Sequence, residues 1–284
     1  MLIFLFACKA PPSTEKFLTP AEIAEGIEAA SHGLLRVDPL LQHRGWTTAM
    51  QSYADEQCPA IGEHNGMDYW HESCTTAEGH QFLGWALNFR GVNIVQDEYS
   101  YSNFDWLSGQ AQIITKDGSL LQNFGDVLHQ EGLDSEGNRV VMGFTYGNFY
   151  WDDPLAENSW LVSDMSIEYY YTFTQEADDV RVNLLTRYPY GPNGDGSRLN
   201  NFDPKYPAAI FEGIIIDTEI CDSEPIEGII WLRDLAGLWY AVAYDSDTAC
   251  DGCGMATHNT VEIGEVCSDF NMWRDWSEYP WEKP

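Results

Sequence analysis

Basic residues are scarce in this chain. Fourteen Lys and Arg stand against 45 Asp and Glu, giving a formal net charge of −31. The lysines are Lys9, Lys16, Lys116, Lys205 and Lys283, too scattered for a basic patch. Phosphate backbones are held by clustered Lys and Arg, so the composition excludes nucleic acid as a partner. It also disfavours direct contact with anionic lipid head groups. The sequence contains no Walker loop, no G-x-G-x-x-G and no G-x-S-x-G elbow, which removes the usual nucleotide and acyl-transfer chemistries. No apolar run approaches the roughly 20 residues of a bilayer-spanning helix. No fixed-period repeat marks a solenoid or propeller.

What is present points to a globular protein. Hydrophobic residues make up 44% of the chain and aromatic residues 14%, enough to build a core rather than a disordered chain. The 284 residues suit one large domain or two modest ones. The acidity reads first as a solvated surface, with cation binding as its functional counterpart.

The N-terminus carries an address. Met1-Leu2-Ile3-Phe4-Leu5-Phe6-Ala7 is apolar, Cys8 follows, and Lys9 to Leu18 is a polar stretch with two prolines. Residues 1–8 resemble the signal peptide and lipobox of bacterial lipoproteins. Leu5 and Ala7 match that pattern, while Phe6 is bulkier than the residue usual there. The resemblance implies export, lipidation of Cys8, and attachment to the outer membrane or cell surface through acyl chains alone.

Six cysteines remain: Cys58, Cys74, Cys221, Cys250, Cys253 and Cys267. An even number in an exported chain reads as a disulfide framework. Cys58 and Cys74 are local to each other, and their bridge is expected to add about 3 kcal/mol on the chain-entropy model. The other four allow three pairings. They could instead hold a structural zinc, since Cys250-Asp251-Gly252-Cys253 is a C-x-x-C.

Along the chain, residues 9–18 form a tether and 19–80 a helical segment holding the Cys58–Cys74 loop. Thr19-Pro20-Ala21-Glu22 is a capping box with proline at the first helical position. Ile23, Ile27 and Ala30 share a face, and Gly33 is expected to stop the helix. A second helix is expected between Pro39 and Cys58, interrupted near Gly45, with Met50 and Tyr53 inward. From Gln81 the period changes to two. Residues 81–205 read as an antiparallel β region and 206–284 as a disulfide-stapled β module, possible continuations of one another. Hairpin turns fall at Lys116-Asp117-Gly118, at Glu176 to Asp179 and at Asp234 to Gly237. The fold class is mainly β, with sandwich- or barrel-like antiparallel sheets and an N-terminal helical segment.

Candidate chemistry is thin. Glu63, His64, His71, Glu72 and His80 are the densest set of metal-ligand types, but their spacing matches no zinc-protease helix. Asn193 to Ser197 and Asp245 to Asp247 alternate like cation loops, yet the first lacks the Gly and Glu of an EF-hand. No catalytic pair can be selected from 45 acidic residues, so no cofactor, metal or catalytic residue is assigned. Aromatic runs at Tyr99, Tyr101, Phe104 and Trp106, at Phe149 to Trp151, and at Trp273, Trp276, Tyr279 and Trp281 offer a glycan- or protein-binding surface if exposed.

The Cys250–Gly254 C-D-G-C-G run, the later Gly264 and Cys267, and the Cys58-Pro59, Cys74-Thr75-Thr76 and Gly79 segment resemble envelope lipoproteins of myxobacterial type. The resemblance implies no activity and no site. The expectation is an exported, lipid-anchored envelope protein serving as a binding or structural module. A secreted glycan-active hydrolase and a metal-binding envelope protein are the alternatives. Oligomeric state stays open.

Overall fold

The computed structural model describes residues 16–36, 39–64, 67–91, 94–96, 99–133, 135–151, 165–176, 179–184, 197–200, 202–221, 224–245 and 250–272. Two helices come first, α1 (Pro20–Arg36) and α2 (Pro39–Tyr53). Three short strands follow, β1 (Gly62–His64), β2 (Met67–Trp70) and β3 (Cys74–Thr75). Longer strands succeed them: β4 (Gln81–Gly91), β5 (Ile94–Gln96), β6 (Tyr99–Ile114), β7 (Leu120–Leu133) and β8 (Arg139–Trp151). Next are β9 (Met165–Glu176), β10 (Asp179–Leu184), β11 (Ser197–Asn200) and β12 (Ala208–Asp217). The last are β13 (Pro225–Arg233), β14 (Trp239–Asp245), β15 (Cys253–His258) and β16 (Val261–Cys267). The protein is mainly β, and the two helices among the described residues lie toward the N-terminal end, as the patterning predicts.

Among the described residues every ladder is antiparallel. The strands follow the order β1-β2-β4-β6-β7-β8-β9-β10-β12-β13-β14-β15-β16, with β3 on β4, β5 on β6, and β11 between β9 and β12. Most neighbours in space are neighbours in sequence, because short turns set the pairing. All three predicted hairpins are formed. Gly118 and Gly237 take positive φ in their turns, and Glu176 pairs Asp179. The ladder continues past residue 205, since β10 and β11 both pair β12.

The capping box opens α1. The Thr19 N–H donates to Glu22 Oε2 at 2.8 Å, and the Glu22 N–H donates to Thr19 Oγ1 at 3.3 Å. These bonds hold the Glu22 carboxyl below its ordinary value. Ile23, Ile27 and Ala30 are fully buried. Gly33 does not stop the helix, which runs on to Arg36. A Cβ at Gly33 would stand 2.6 Å from Leu199 Cδ2, so glycine here lets the helix lie close on β11. Gly45 does not interrupt α2 either. Burial of Trp46, Ala49 and Tyr53 outweighs the ~1 kcal/mol that an interior glycine costs a helix. The expected helical segment 19–80 is helical only to Tyr53, and β1 to β3 occupy part of its second half.

One core joins both helices to the sheet. α1 packs on β16, β13 and β11, while α2 packs on β7, β6 and β8. Register explains the inner face. Phe211, Ile230, Val242 and Ala256 follow one another across four strands, and all are buried. Tyr206 ties α1 down, its hydroxyl donating to the Glu22 carbonyl at 2.7 Å. A second inner row is Gly109, Gly125 and Gly147. A Cβ at Gly125 would collide with the Tyr146 carbonyl oxygen, and one at Gly147 with that of Phe124. This row is a crease where strand backbones approach too closely for any side chain.

Candidate functional site

Cys8 lies outside the described residues. The other six cysteines form three disulfides: Cys58–Cys74, Cys221–Cys250 and Cys253–Cys267. Cys253 and Cys267 sit directly opposite on β15 and β16. The four C-terminal thiols are therefore consumed, and none remains as a zinc thiolate. Cys253, Glu265 and Cys267 do gather, but around that disulfide. Such pairing belongs to an oxidising, extracytoplasmic compartment. No described helix is long and apolar enough to cross a membrane.

Among the described residues, the histidine and carboxylate set forms no group of three metal-ligand atoms. Glu63 and Glu72 are exposed, and the His64 side chain lies outside the described residues. His71 is exposed and stacks on Tyr69. His80 is buried: its Nδ1 accepts the Lys116 N–H at 3.1 Å, and its ring packs on Tyr53. Asn193 to Gly196 lie outside the described residues, and Ser197 begins β11. Asp245 ends β14, while Ser246 and Asp247 lie outside. Among the aromatic runs, Phe104, Trp106 and Tyr150 are half-buried and Phe149 is buried. The side chains of Tyr99, Tyr101 and Trp151 lie outside the described residues, as do Trp273, Trp276, Tyr279 and Trp281.

Among the described residues, rings outside these runs are exposed. Trp85 on β4, Phe124 on β7 and Tyr146 on β8 are 39%, 38% and 46% exposed. All three point away from the helices, because their neighbours Ala86, Asn123 and Thr145 are buried and side chains alternate along a strand. Register places Trp85, Gln110, Phe124 and Asn148 in one row. Leu87, Ser108, Asp126 and Tyr146 form the next row. Trp85 and Phe124 are two strands apart, about 10 Å, with the Gln110 amide between them. In the row beyond, Gln112 Nε2 donates to Gln122 Oε1 at 2.8 Å. In these two rows the outer face of β4, β6, β7 and β8 sets Trp85, Phe124 and Tyr146 among Gln110, Asn148, Ser108, Asp126 and Leu87. Period-two alternation groups these rings with their strand-face neighbours, but the phase that is exposed is set by the packing of α2.

On the opposite side of β4 lies a cleft of about 230 Å³. Trp46, Thr47, Met50, Gln51 and Ala54 of α2 and its C-terminal end form one wall. Ile61, Asp68, Tyr69, Trp70, Ala86 and Asn88 form the rest. The floor is held by Trp70, whose ring meets Phe82 edge-on at 5.1 Å.

Behind the cleft runs a buried polar chain. The Asn88 amide donates to Thr47 Oγ1 at 3.3 Å, and its Oδ1 lies 2.6 Å from His43 Nε2. That contact makes Nε2–H the donor and turns His43 Nδ1 toward Asp105 Oδ1, 3.9 Å away. Arg90 Nε reaches the same oxygen at 3.5 Å. Burial holds the His43 imidazole below its ordinary value, with Asp105 opposing. His129, across the β6–β7 ladder from Asp105, is pushed down to about 3 by burial and by the nearby Arg44 charge. Polar groups on the core phase of β4, β6 and β7 carry no sequence signal without the register. No family model, curated protein or solved structure matches this chain.

Proposed function

We propose that this is an exported, lipid-anchored envelope protein, attached through Cys8, that acts as a non-enzymatic binding module for neutral glycan. The observation that carries this reading is the outer face bearing Trp85, Phe124 and Tyr146. Rings spaced by amides and hydroxyls suit the alternating apolar faces and hydroxyl edges of sugars. The charge of −31 disfavours anionic polysaccharide. Glycoside hydrolysis uses two carboxyl groups about 5 to 9.5 Å apart, whereas the two ring-bearing rows carry one carboxylate, Asp126. The disulfides and the polar tether at 9–18 agree with display outside the cytoplasm.

Affinity electrophoresis in gels containing hydroxyethylcellulose, a soluble neutral glucan, tests the glycan assignment. Retardation of the full exported chain is expected, and Trp85→Ala with Phe124→Ala should abolish it. Migration unaffected by the polymer, or retardation that survives the double variant, refutes the glucan site. Mass spectrometry of the membrane fraction tests the anchor. It should find acyl chains on Cys8, and Cys8→Ser should release the protein.

A further inference from the structure

We infer that the cleft between α2 and β2 is a separate site for a small organic ammonium ion, a cationic amine on an apolar body. The volume of about 230 Å³ lies below that of pockets for drug-sized ligands, so the occupant is small. Met50, Ala54, Ile61 and the two tryptophans supply an apolar lining. Ile61 is an exposed large hydrophobic side chain at the rim.

The electrostatics of the lining have one sign. Among the described residues it contains the Asp68 carboxylate and no Lys, Arg or His. Asp68 is exposed. Glu63 stands directly opposite it on β1, and neither carboxylate forms an ion pair among the described residues. Like charges facing each other across a ladder are destabilising, and a cation seated beside them offsets that repulsion. Aromatic rings attract ammonium groups through their quadrupoles, most strongly where water is excluded. Trp46 and Trp70 put two such rings in the walls. The overall charge of −31 draws cations toward the surface and repels anions. An anion therefore meets repulsion here, and a neutral molecule gains only the apolar contact.

Titration calorimetry on the full exported chain, using three probes of one shape, tests the site. These are benzylammonium, benzyl alcohol and benzoate, each at low salt. Benzylammonium should bind about tenfold tighter than the alcohol, the size of one cation–ring or carboxylate contact, and benzoate should not bind. Asp68→Asn, a surface change that leaves the core intact, should bring the amine to the affinity of the alcohol. Trp85→Ala, on the other face of the sheet, should leave amine binding unchanged. Equal affinity for all three probes, no binding of the amine, or amine binding indifferent to Asp68→Asn overturns the assignment.

Discussion

His129 is buried on β7 with its pKa pushed down to about 3, and this single side chain has consequences for acid stability. In the unfolded chain the imidazole takes a proton below about pH 6.5. In the folded chain it stays neutral until about pH 3. The unfolded state therefore binds more protons throughout that window. The stability that neutral His129 contributes is full above about pH 6.5 and is lost as pH falls, at about 1.4 kcal/mol per unit. His43 is shifted in the same direction, chiefly by burial, and adds to the slope. Replacing His129 with Gln should flatten the fall in urea-unfolding free energy between pH 6 and pH 4, leaving the smaller part due to His43. An unchanged pH slope in the variant would mean that His129 is solvated in the native state.

At the level of elements, the sheet depends on where strands come too close. The crease at Gly109, Gly125 and Gly147 crosses three strands beneath α2. A methyl group at Gly125 meets carbonyl oxygen and backbone rather than a side chain that can turn away. Gly125→Ala should accordingly cost about 2–3 kcal/mol, read as a lower denaturant midpoint. Gly118→Ala should behave differently, since nothing lies within 4 Å of a Cβ there and only its positive φ is strained. A Gly125→Ala midpoint no lower than that of Gly118→Ala would contradict the close approach. The stretch after α2 shows how a short polar residue organises an element. Asp55 accepts the N–H groups of Gln57, Cys58 and Ala77. Those donors hold its carboxyl below the ordinary value and tie the Cys58–Cys74 loop to the end of α2.

For the whole molecule, net charge is the dominant long-range term. With −31 spread over 284 residues, self-repulsion opposes the compact state. Salt shortens the Debye length to about 10 Å at 0.1 M, so the melting temperature should rise between low salt and 0.3 M sodium chloride. A fall would show that attractive ion pairs outweigh the repulsion. This charge, the six cysteines in even number, the capping box at Thr19 and the hairpin turns were all legible in the sequence. Each is either a sum over residues or a feature of a few consecutive ones. The tertiary structure alone decided how Cys221, Cys250, Cys253 and Cys267 pair, because β15 and β16 bring Cys253 and Cys267 opposite each other. It decided that Gly33 and Gly45 continue their helices, since contacts with Leu199 and the burial of Trp46 come from the rest of the fold. It also decided that Trp85, Phe124 and Tyr146 face outward while His43 and Asp105 meet under α2. Period-two alternation tells which residues share a strand face, but only the packing of α2 on β6, β7 and β8 determines which face is the core.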